Sequence, residues 1–364
     1  MGSRLGTATI GVMAGGTGGH VFPALAVAET LREQGMQVFW IGTRRGMESR
    51  LVPGHGFEME WVRIEGLRGK GLSQLLGAPF KLLAALWQAG QILRRRTPAV
   101  VLGMGGFASG PGGLAARALG VPLVIHEQNR VPGMTNQWLA RIATRVFEAF
   151  PGSFPVGRRA IATGNPVRRA IAELPPPRER FAGRSGPRRL LVVGGSLGAK
   201  ALNETVPAAL ALIPEGERPQ VRHQAGQQTL ELACQAYDSA GVQAEVTPFI
   251  TDMAEAYGWA DLVVCRAGAL TVSELTAAGL GAILVPYPHA VDDHQTGNAR
   301  YLAEAGAAEL LPQRDLTAAG LAEQLRGLLQ DPAALLAMAE AARARANPDA
   351  AERIAATCWE LASR

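Results

Sequence analysis

Short apolar runs alternate with longer stretches of helical spacing along this chain. TATIGVMA at 7–14 is apolar over strand length, and VFPALAVAETLREQG at 21–35 reads as a helix stopped by Gly35. QVFWIG (37–42), AVVLGMGG (99–106), PLVIHE (122–127) and TRVFEAF (144–150) predict further strands. Strand, loop and helix recur in that order, so the expectation is a parallel sheet with helices on both faces. LPPPRERFAGRSGPRR at 174–189 holds four prolines and clustered charge, which predicts a linker or irregular connection. The pattern then restarts. RLLVVGG (189–195) is a strand and the stretch after it a helix, and PQVRHQAG, AEVTPFI, DLVVCRAG and GAILVPYP supply more strands. Residues 316–364 are helical with a break at Asn347–Pro348. Two doubly wound, Rossmann-like α/β domains in tandem are expected to face a central cleft at the carboxyl ends of their strands.

Composition narrows the class. Apolar residues make up 48% and charged residues 18% of 364, which excludes disorder, and no apolar run reaches membrane-spanning length. The glycine cluster near the N-terminus interrupts any secretory apolar segment. Cys234, Cys265 and Cys358 are far apart and odd in number, so they read as reduced core thiols of a cytoplasmic protein. Net charge is +5, unevenly spread: residues 1–165 carry 18 Lys/Arg against 8 Asp/Glu, the remainder 18 against 23. No acidic residue occurs between Glu65 and Glu127, where Arg68, Lys70, Lys81, Arg94, Arg95, Arg96 and Arg117 lie. A field of one sign attracts phosphorylated substrate, anionic lipid or nucleic acid. In this region Leu72, Leu75, Leu76, Pro79, Phe80, Leu83 and Trp87 follow helical spacing, and Leu82, Leu86 and Leu93 widen the face. Most of the stripe reads as core-facing. Its breadth and basic flanks also suit in-plane contact with anionic headgroups.

The loops carry the candidate chemistry. MAGGTGGH at 13–20 places Gly15, Gly16, Gly18 and Gly19 between a strand and a helix. It fails as a dinucleotide fingerprint because Val21 replaces the third small residue and the second strand ends WIGTRRG, without a carboxylate. Arg44 and Arg45 leave an NADP option open, and no Lys-Ser/Thr follows to make a P-loop. What survives is an anion-directed helix start. GMGGFASGPGG (103–113) and VVGGSLGAKALN (192–203) repeat the arrangement, and three such loops point to a phosphate-rich ligand. In CRAGALTVSELTAAG (265–279), Gly268 opens a helix. Thr271 and Glu274 match a capping box, which spacing alone slightly favours over the alternative that Glu274 accepts two ribose hydroxyls. PYPHAVDDHQTGNA (286–299) is polar, lacks tight metal-ligand spacing, and suits a hydroxyl-rich molecule.

In this order GGTGGHVFPALAVAE, GLRGKG, GMGGFASGPGGLAA, HEQNRVPGMTNQWLA, TGNPVR, VVGGSLGAKALN, CRAGALTVSEL and VPYPHAVDDHQTGNA resemble the MurG family of peptidoglycan glycosyltransferases, over about residues 7 to 355. The resemblance implies a GT-B fold. It implies transfer of N-acetylglucosamine from UDP-GlcNAc to the 4-hydroxyl of undecaprenyl-diphospho-N-acetylmuramoyl pentapeptide (lipid I), with inversion, giving lipid II for cell-wall synthesis. The expected place is the cytoplasmic face of the cell membrane, as a peripheral protein. The expected division is 1–165 for acceptor and membrane, 166–340 for UDP-GlcNAc, and 341–364 as a helix packing back on the first domain.

By the same resemblance Thr17, Gly18 and Gly19 face the donor sugar and diphosphate, Asn129 reaches the GlcNAc, and Arg168 contacts the nucleotide side. Ser196 resembles a phosphate contact, Ile250 the residue whose backbone reads uracil, and Gln295 a sugar-hydroxyl contact. Ala269, Leu270, Thr271, Val272, Ser273 and Glu274 resemble the helix start that holds the diphosphate, with Glu274 on the ribose, which overturns the preference for a cap. His294 stands where some members have glutamine and receives no role. An inverting transfer needs one general base and stabilisation of departing UDP. His20 is the candidate base, since imidazole titrates near neutrality, and Glu127 the reserve. No D-x-D motif occupies a metal–nucleotide position, and no metal or cofactor is expected. The competing readings are a transferase for another lipid acceptor such as diacylglycerol, a UDP-GlcNAc 2-epimerase, and a nucleic-acid binder. Aromatics at 5%, not interleaved with the basic residues, speak against the last.

Overall fold

A computed structural model describes residues 8–64, 78–195 and 198–364. Ser196 and the stretch with Arg68, Lys70, Leu72, Leu75 and Leu76 lie outside the described residues. The chain forms two compact units, 1–168 with 347–364, and 169–346.

The first unit holds a parallel seven-stranded sheet: β1 (Thr9–Met13), β2 (Gln37–Gly42), β3 (Glu58–Trp61), β4 (Val100–Gly103), β5 (Leu123–Glu127), β6 (Arg145–Glu148) and β7 (Ile161–Ala162), in the order β3-β2-β1-β4-β5-β6-β7. β1, β4 and β5 are buried almost throughout, as strands covered on both faces must be, hence their unbroken apolar runs. One face packs Ile10, Val12 and Val100 against helix Gly18–Glu33 and against Ala351, Ile354, Ala355 and Cys358 of helix Ala350–Ala362. The other packs Met13, Val101 and Ile125 against Ala85, Ala89, Ile92 and Leu93 of helix Ala78–Arg96.

That helix reverses the expectation of a mainly core-facing stripe. Its small and C-terminal apolar residues face the core, while Phe80, Leu83 and Trp87 are 76%, 62% and 66% exposed. Alanines at 85 and 89 allow the helix to lie close to the sheet, which turns the bulky side chains outward. Two of the basic residues are internally engaged: Arg95 pairs with Glu60, and Arg96 with Glu60 and Glu58, all across to β3. These carboxylates hold Arg96 above, and Arg96 and Arg95 hold Glu60 below, their ordinary pKa ranges; burial opposes both shifts.

The second unit has a parallel six-stranded sheet: β8 (Arg189–Val193), β9 (Gln220–Gln224), β10 (Glu245–Thr247), β11 (Leu262–Cys265), β12 (Ala282–Leu284) and β13 (Ala308–Leu310), in the order β10-β9-β8-β11-β12-β13. β3, β7 and β13 go beyond the strands read from sequence. All three are short edge strands whose half-polar or brief runs give little periodic signal. The proline-rich segment is also more ordered than an irregular connection. It contains helix Pro177–Phe181, and Arg184 bonds to Asp261 and to the Ala260 and Gly258 carbonyls. Arg180 donates to the Tyr257 and Gly279 carbonyls. Partly buried, these guanidiniums cap the C-terminal ends of helices Met253–Trp259 and Ala269–Ala278, where cations complement the helix dipole.

Both sheets change winding direction once, between β1 and β4 and between β8 and β11. The crevice at such a switch point is where open α/β sheets receive ligands.

Candidate active site

At the first switch point two glycine loops interlock. Gly16 has φ +92°, open to glycine at no steric cost. A β-carbon on Gly106 would overlap the Gly15 backbone, and one on Gly105 would lie 2.6 Å from His20 Nδ1. The Trp40 indole donates to the Ala14 carbonyl at 2.8 Å, and Ser109 Oγ donates to the Met13 and Gly105 carbonyls. Ser109 is therefore a buried strut.

Beneath the loop lies Glu48, fully buried. Its carboxylate accepts from the Gly16 amide at 2.9 Å, the Thr43 amide at 2.9 Å and the Thr43 hydroxyl at 2.8 Å. Gly15, Gly42 and Gly46 leave it room: β-carbons there would press on its side chain. Glu48 was not singled out from sequence. The glycines at 15, 42 and 46 were its only trace, since their crowding against one acid is invisible before folding.

Thr17 is the N-cap of helix Gly18–Glu33, and its carbonyl accepts from the His20 and Val21 amides. Its hydroxyl makes no cap bond, and the first-turn amides at 18 and 19 have no acceptor one turn back. Gly16 and Thr17 are exposed and Gly18, Gly19 and His20 half-buried, so this edge is open to a ligand. His20 Nδ1 lies 2.9 Å from Gln128 Oε1. Gln128 Nε2 lies 3.2 Å from His126 Nδ1, and His126 Nε2 lies 2.9 Å from the Gly164 carbonyl. Complete burial, with the nearby His20 charge, pushes His126 down to about 4, although its bond to Gly164 opposes the shift. Gln128 and His126 were not singled out from sequence, although they adjoin Asn129 in HEQN.

Glu127 is 1% exposed and fully engaged. Its Oε1 accepts from Asn129 N and Nδ2 at 2.9 and 3.3 Å, and its Oε2 from Gly133 N and Asn136 Nδ2 at 3.0 Å each. Asn129 is thereby set just past β5, half-buried, with its carbonyl accepting from Ser153 Oγ. Glu148 repeats the device, accepting from the Gly152 and Phe154 amides. Arg168 stacks over Phe22 of helix Gly18–Glu33, 5.5 Å from the ring centre.

In the second unit Gly268 is the N-cap of helix Ala269–Ala278. Thr271 therefore sits inside the first turn, not before it, and the capping-box reading of Thr271 and Glu274 does not hold. Ala269 and Val272, Ser273 and Glu274 are buried, while Leu270 and Thr271 are half-buried. Ser273 Oγ donates to the Ala269 carbonyl at 3.0 Å, and the Tyr257 hydroxyl donates to Glu274 Oε2 at 3.1 Å. The helix start presents amides and the far end is capped by Arg343 on the Ala277 carbonyl and Arg180 on that of Gly279, an arrangement that suits an anion at the start.

Asn298 Nδ2 donates to the Ala267 carbonyl at 3.1 Å and ties helix His294–Ala303 to the loop before Gly268. Gln295 lies one turn before Asn298 and accepts from the Tyr287 amide at 2.9 Å. Asp292 and Asp293 ahead of it take φ of +53° and +50°, a region non-glycine residues enter rarely and at a cost. The structure thus brings Ala269–Glu274 and Gln295 to one edge of the second unit. Ile250 follows β10, and its amide donates to Gln224 Oε1 at 3.0 Å. Among the described residues no cluster of three or more His, Cys, Asp or Glu is arranged to hold a metal.

Residues 10–148 match the glycosyltransferase family 28 N-terminal domain and residues 189–354 its C-terminal domain. A relative from Marinobacter nauticus is 58% identical over 352 residues, 97% of each chain; it is the UDP-N-acetylglucosamine–N-acetylmuramyl-(pentapeptide) pyrophosphoryl-undecaprenol N-acetylglucosamine transferase. The crystal structure of Acinetobacter baumannii MurG superposes with a TM-score of 0.83 at 43% identity, covering 97% of this chain and 99% of that one. A UDP-N-acetylglucosamine 2-epimerase structure from Listeria monocytogenes gives 0.66 at 15% identity, covering 96% and 95%, a likeness of fold alone. Two Rossmann-like sheets with both halves of the family matched, and near-full-length identity of this order, place the chain in glycosyltransferase family 28, within its MurG group.

Proposed function

We infer that this enzyme transfers N-acetylglucosamine from UDP-GlcNAc to the 4-hydroxyl of lipid I, giving lipid II with inversion at the anomeric carbon. The activity is carried by 58% identity along 97% of the chain to a transferase of that activity. His20 is the base we assign: it stands half-buried at the β1–β4 switch point, and its Nε2 has no hydrogen bond among the described residues. Glu127, with four donors on its two oxygens, suits holding the 128–136 loop better than taking a proton. His20 Nε2 would take the proton of the acceptor hydroxyl as its oxygen bonds to the anomeric carbon, and UDP would leave with the electron pair of the broken bond. The amides of the helix starts at Gly18–Gly19 and Ala269 then suit the diphosphate, Glu274 the ribose, Ile250 the uracil, and Thr17, Asn129 and Gln295 the sugar. Arg168, and Ser196 beyond the described residues, complete the nucleotide and phosphate contacts of this reading.

We also propose peripheral association with the cytoplasmic face of the membrane through Phe80, Leu83 and Trp87, one face of helix Ala78–Arg96, with exposed Lys81 and Arg94 beside them. No helix among the described residues is long and apolar enough to cross a membrane. No partner role for nucleic acid is proposed. The test of activity is labelled UDP-GlcNAc incubated with the enzyme and a lipid I analogue, diacylglycerol, or no acceptor. Labelled lipid II in the first tube alone is expected. Labelled diacylglycerol would redirect the acceptor, and UDP-N-acetylmannosamine without acceptor would replace transfer by epimerisation.

A further inference from the structure

We infer that Gln128 and His126 are positioning residues that keep the His20 proton on Nδ1, so that its Nε2 lone pair faces the acceptor hydroxyl. This rests on the reading of His20 as the base and adds what selects the reactive tautomer. The Gly164 carbonyl can only accept, so His126 Nε2, 2.9 Å away, must carry a proton. Fully buried and neutral, His126 then has a bare Nδ1. A bare nitrogen needs a donor, and the amide nitrogen of Gln128 is 3.2 Å from it. That orientation turns Gln128 Oε1 toward His20 Nδ1 at 2.9 Å, and an oxygen there requires Nδ1–H. One backbone carbonyl therefore settles two tautomers and one amide flip in series.

Each link is braced. The Asn136 side chain donates to the His126 carbonyl and that of Asn165 to the Gln128 carbonyl, both at 3.1 Å. Gly164 has φ +78° and packs where a β-carbon would overlap Asn347. Gly105 fits against the Nδ1 edge of the His20 ring. Among the described residues the charged surroundings add no rival partner for Nδ1. The first turn of helix Gly18–Glu33 has no acidic residue, Glu48 serves Gly16 and Thr43, and Glu127 serves residues 129–136. Residues 103–108 are uncharged, and Arg168 lies over Phe22. A neutral amide orients the imidazole without placing a second charge against it, as a carboxylate there would.

The test reads the tautomer directly. Long-range 1H–15N spectra of the full chain with 15N-histidine, assigned with His20→Asn and His126→Asn, should show His20 protonated at Nδ1 and bare at Nε2 near pH 8. A proton on His20 Nε2 in the unmodified enzyme overturns the inference whatever the kinetics. Gln128→Met removes the acceptor, and an unpartnered imidazole prefers the Nε2–H form. Expected are that spectral switch and a fall in kcat of about 10- to 100-fold, a part of the ~10²–10⁴-fold that a general base supplies, with the KM for UDP-GlcNAc unchanged. Gln128→Glu keeps an acceptor but adds charge, so it should retain Nδ1–H and move the acid limb of kcat upward by about one pH unit or more. Wild-type kcat in Gln128→Met, where His20→Ala is inactive, overturns positioning alone. Wild-type kcat in His20→Ala overturns the base reading and this inference with it. If Gln128→Met does not fold by circular dichroism, the wild-type spectrum and Gln128→Glu decide.

Discussion

Glu48→Gln tests whether a buried carboxylate, rather than glycine flexibility, shapes the first ligand loop. The side chain is fully buried and takes three donors, two on Oε1 from Thr43 and one on Oε2 from Gly16. Glutamine can keep the Thr43 pair on its oxygen. Its NH2 must then face the Gly16 amide, so one charge-assisted bond becomes a donor–donor contact. Hydrogen bonds to charged groups contribute about 1.5–3 kcal/mol each, and a unit of this size loses about 2–4 °C of Tm per kcal/mol, so a fall of about 3–12 °C is expected. The loop itself should loosen first, since the lost bond is the one to Gly16. Calorimetry gives the melting shift, and amide exchange at Gly16 and Thr17 gives the local effect. Donor turnover should fall through kcat/KM. An unchanged Tm together with unchanged protection at Gly16 would refute the argument, because no other described bond replaces the one removed.

Three further outcomes follow from the geometry. Glu127→Gln should lower Tm by several degrees while leaving more activity than His20→Ala, because one of its oxygens must become a donor facing donors; steady-state kinetics beside calorimetry separates this from loss of a base. His126 and His223 are buried and neutral, lowered to about 4 and about 3 chiefly by burial, so the unfolded chain binds more protons as pH drops. Stability from His126 is complete above about pH 6.5 and is lost as pH falls toward 4, by about 3 kcal/mol, a slope that urea titrations should find reduced in His126→Asn. Phe80→Ser and Trp87→Ser should each weaken binding to anionic vesicles about tenfold or more, if each side chain contributes ~1.5–3 kcal/mol on burial, with Tm unchanged. Vesicle sedimentation at low and high salt checks this, and binding indifferent to both substitutions and salt would remove the membrane reading.

The two sheets were legible because parallel strands buried on both faces print continuous apolar runs, as TIGVM and LVVC do. Edge strands such as Glu58–Trp61 are half-buried and polar on alternate positions, so they print almost nothing. Helix Ala78–Arg96 was misread in orientation for a related reason. Helical spacing identifies an apolar face but not the side on which it is buried, and the alanines that touch the core carry a weaker signal than the Phe and Trp that do not. The glycine loops were visible as strand-to-helix junctions, yet the residues that shape them were not. Glu48, Gln128 and Glu148 look like ordinary polar residues until folding brings amides around them.

The site in the first unit is built on a single economy of donors and acceptors. Loops past the strands leave many amides without ladder partners, and burial forbids leaving them unmet. Glu48, Glu127 and Glu148 each meet two or more of these donors, fixing the loops at 16–17, 129–136 and 152–154. Fully occupied carboxylates are poor proton acceptors. That leaves the half-buried imidazole of His20, whose one described bond lies on Nδ1, as the group at this edge with a nitrogen lone pair to offer. The same accounting that stabilises the loops therefore favours His20 as the proposed base, and replacing any one of the three carboxylates should disturb geometry before it disturbs chemistry.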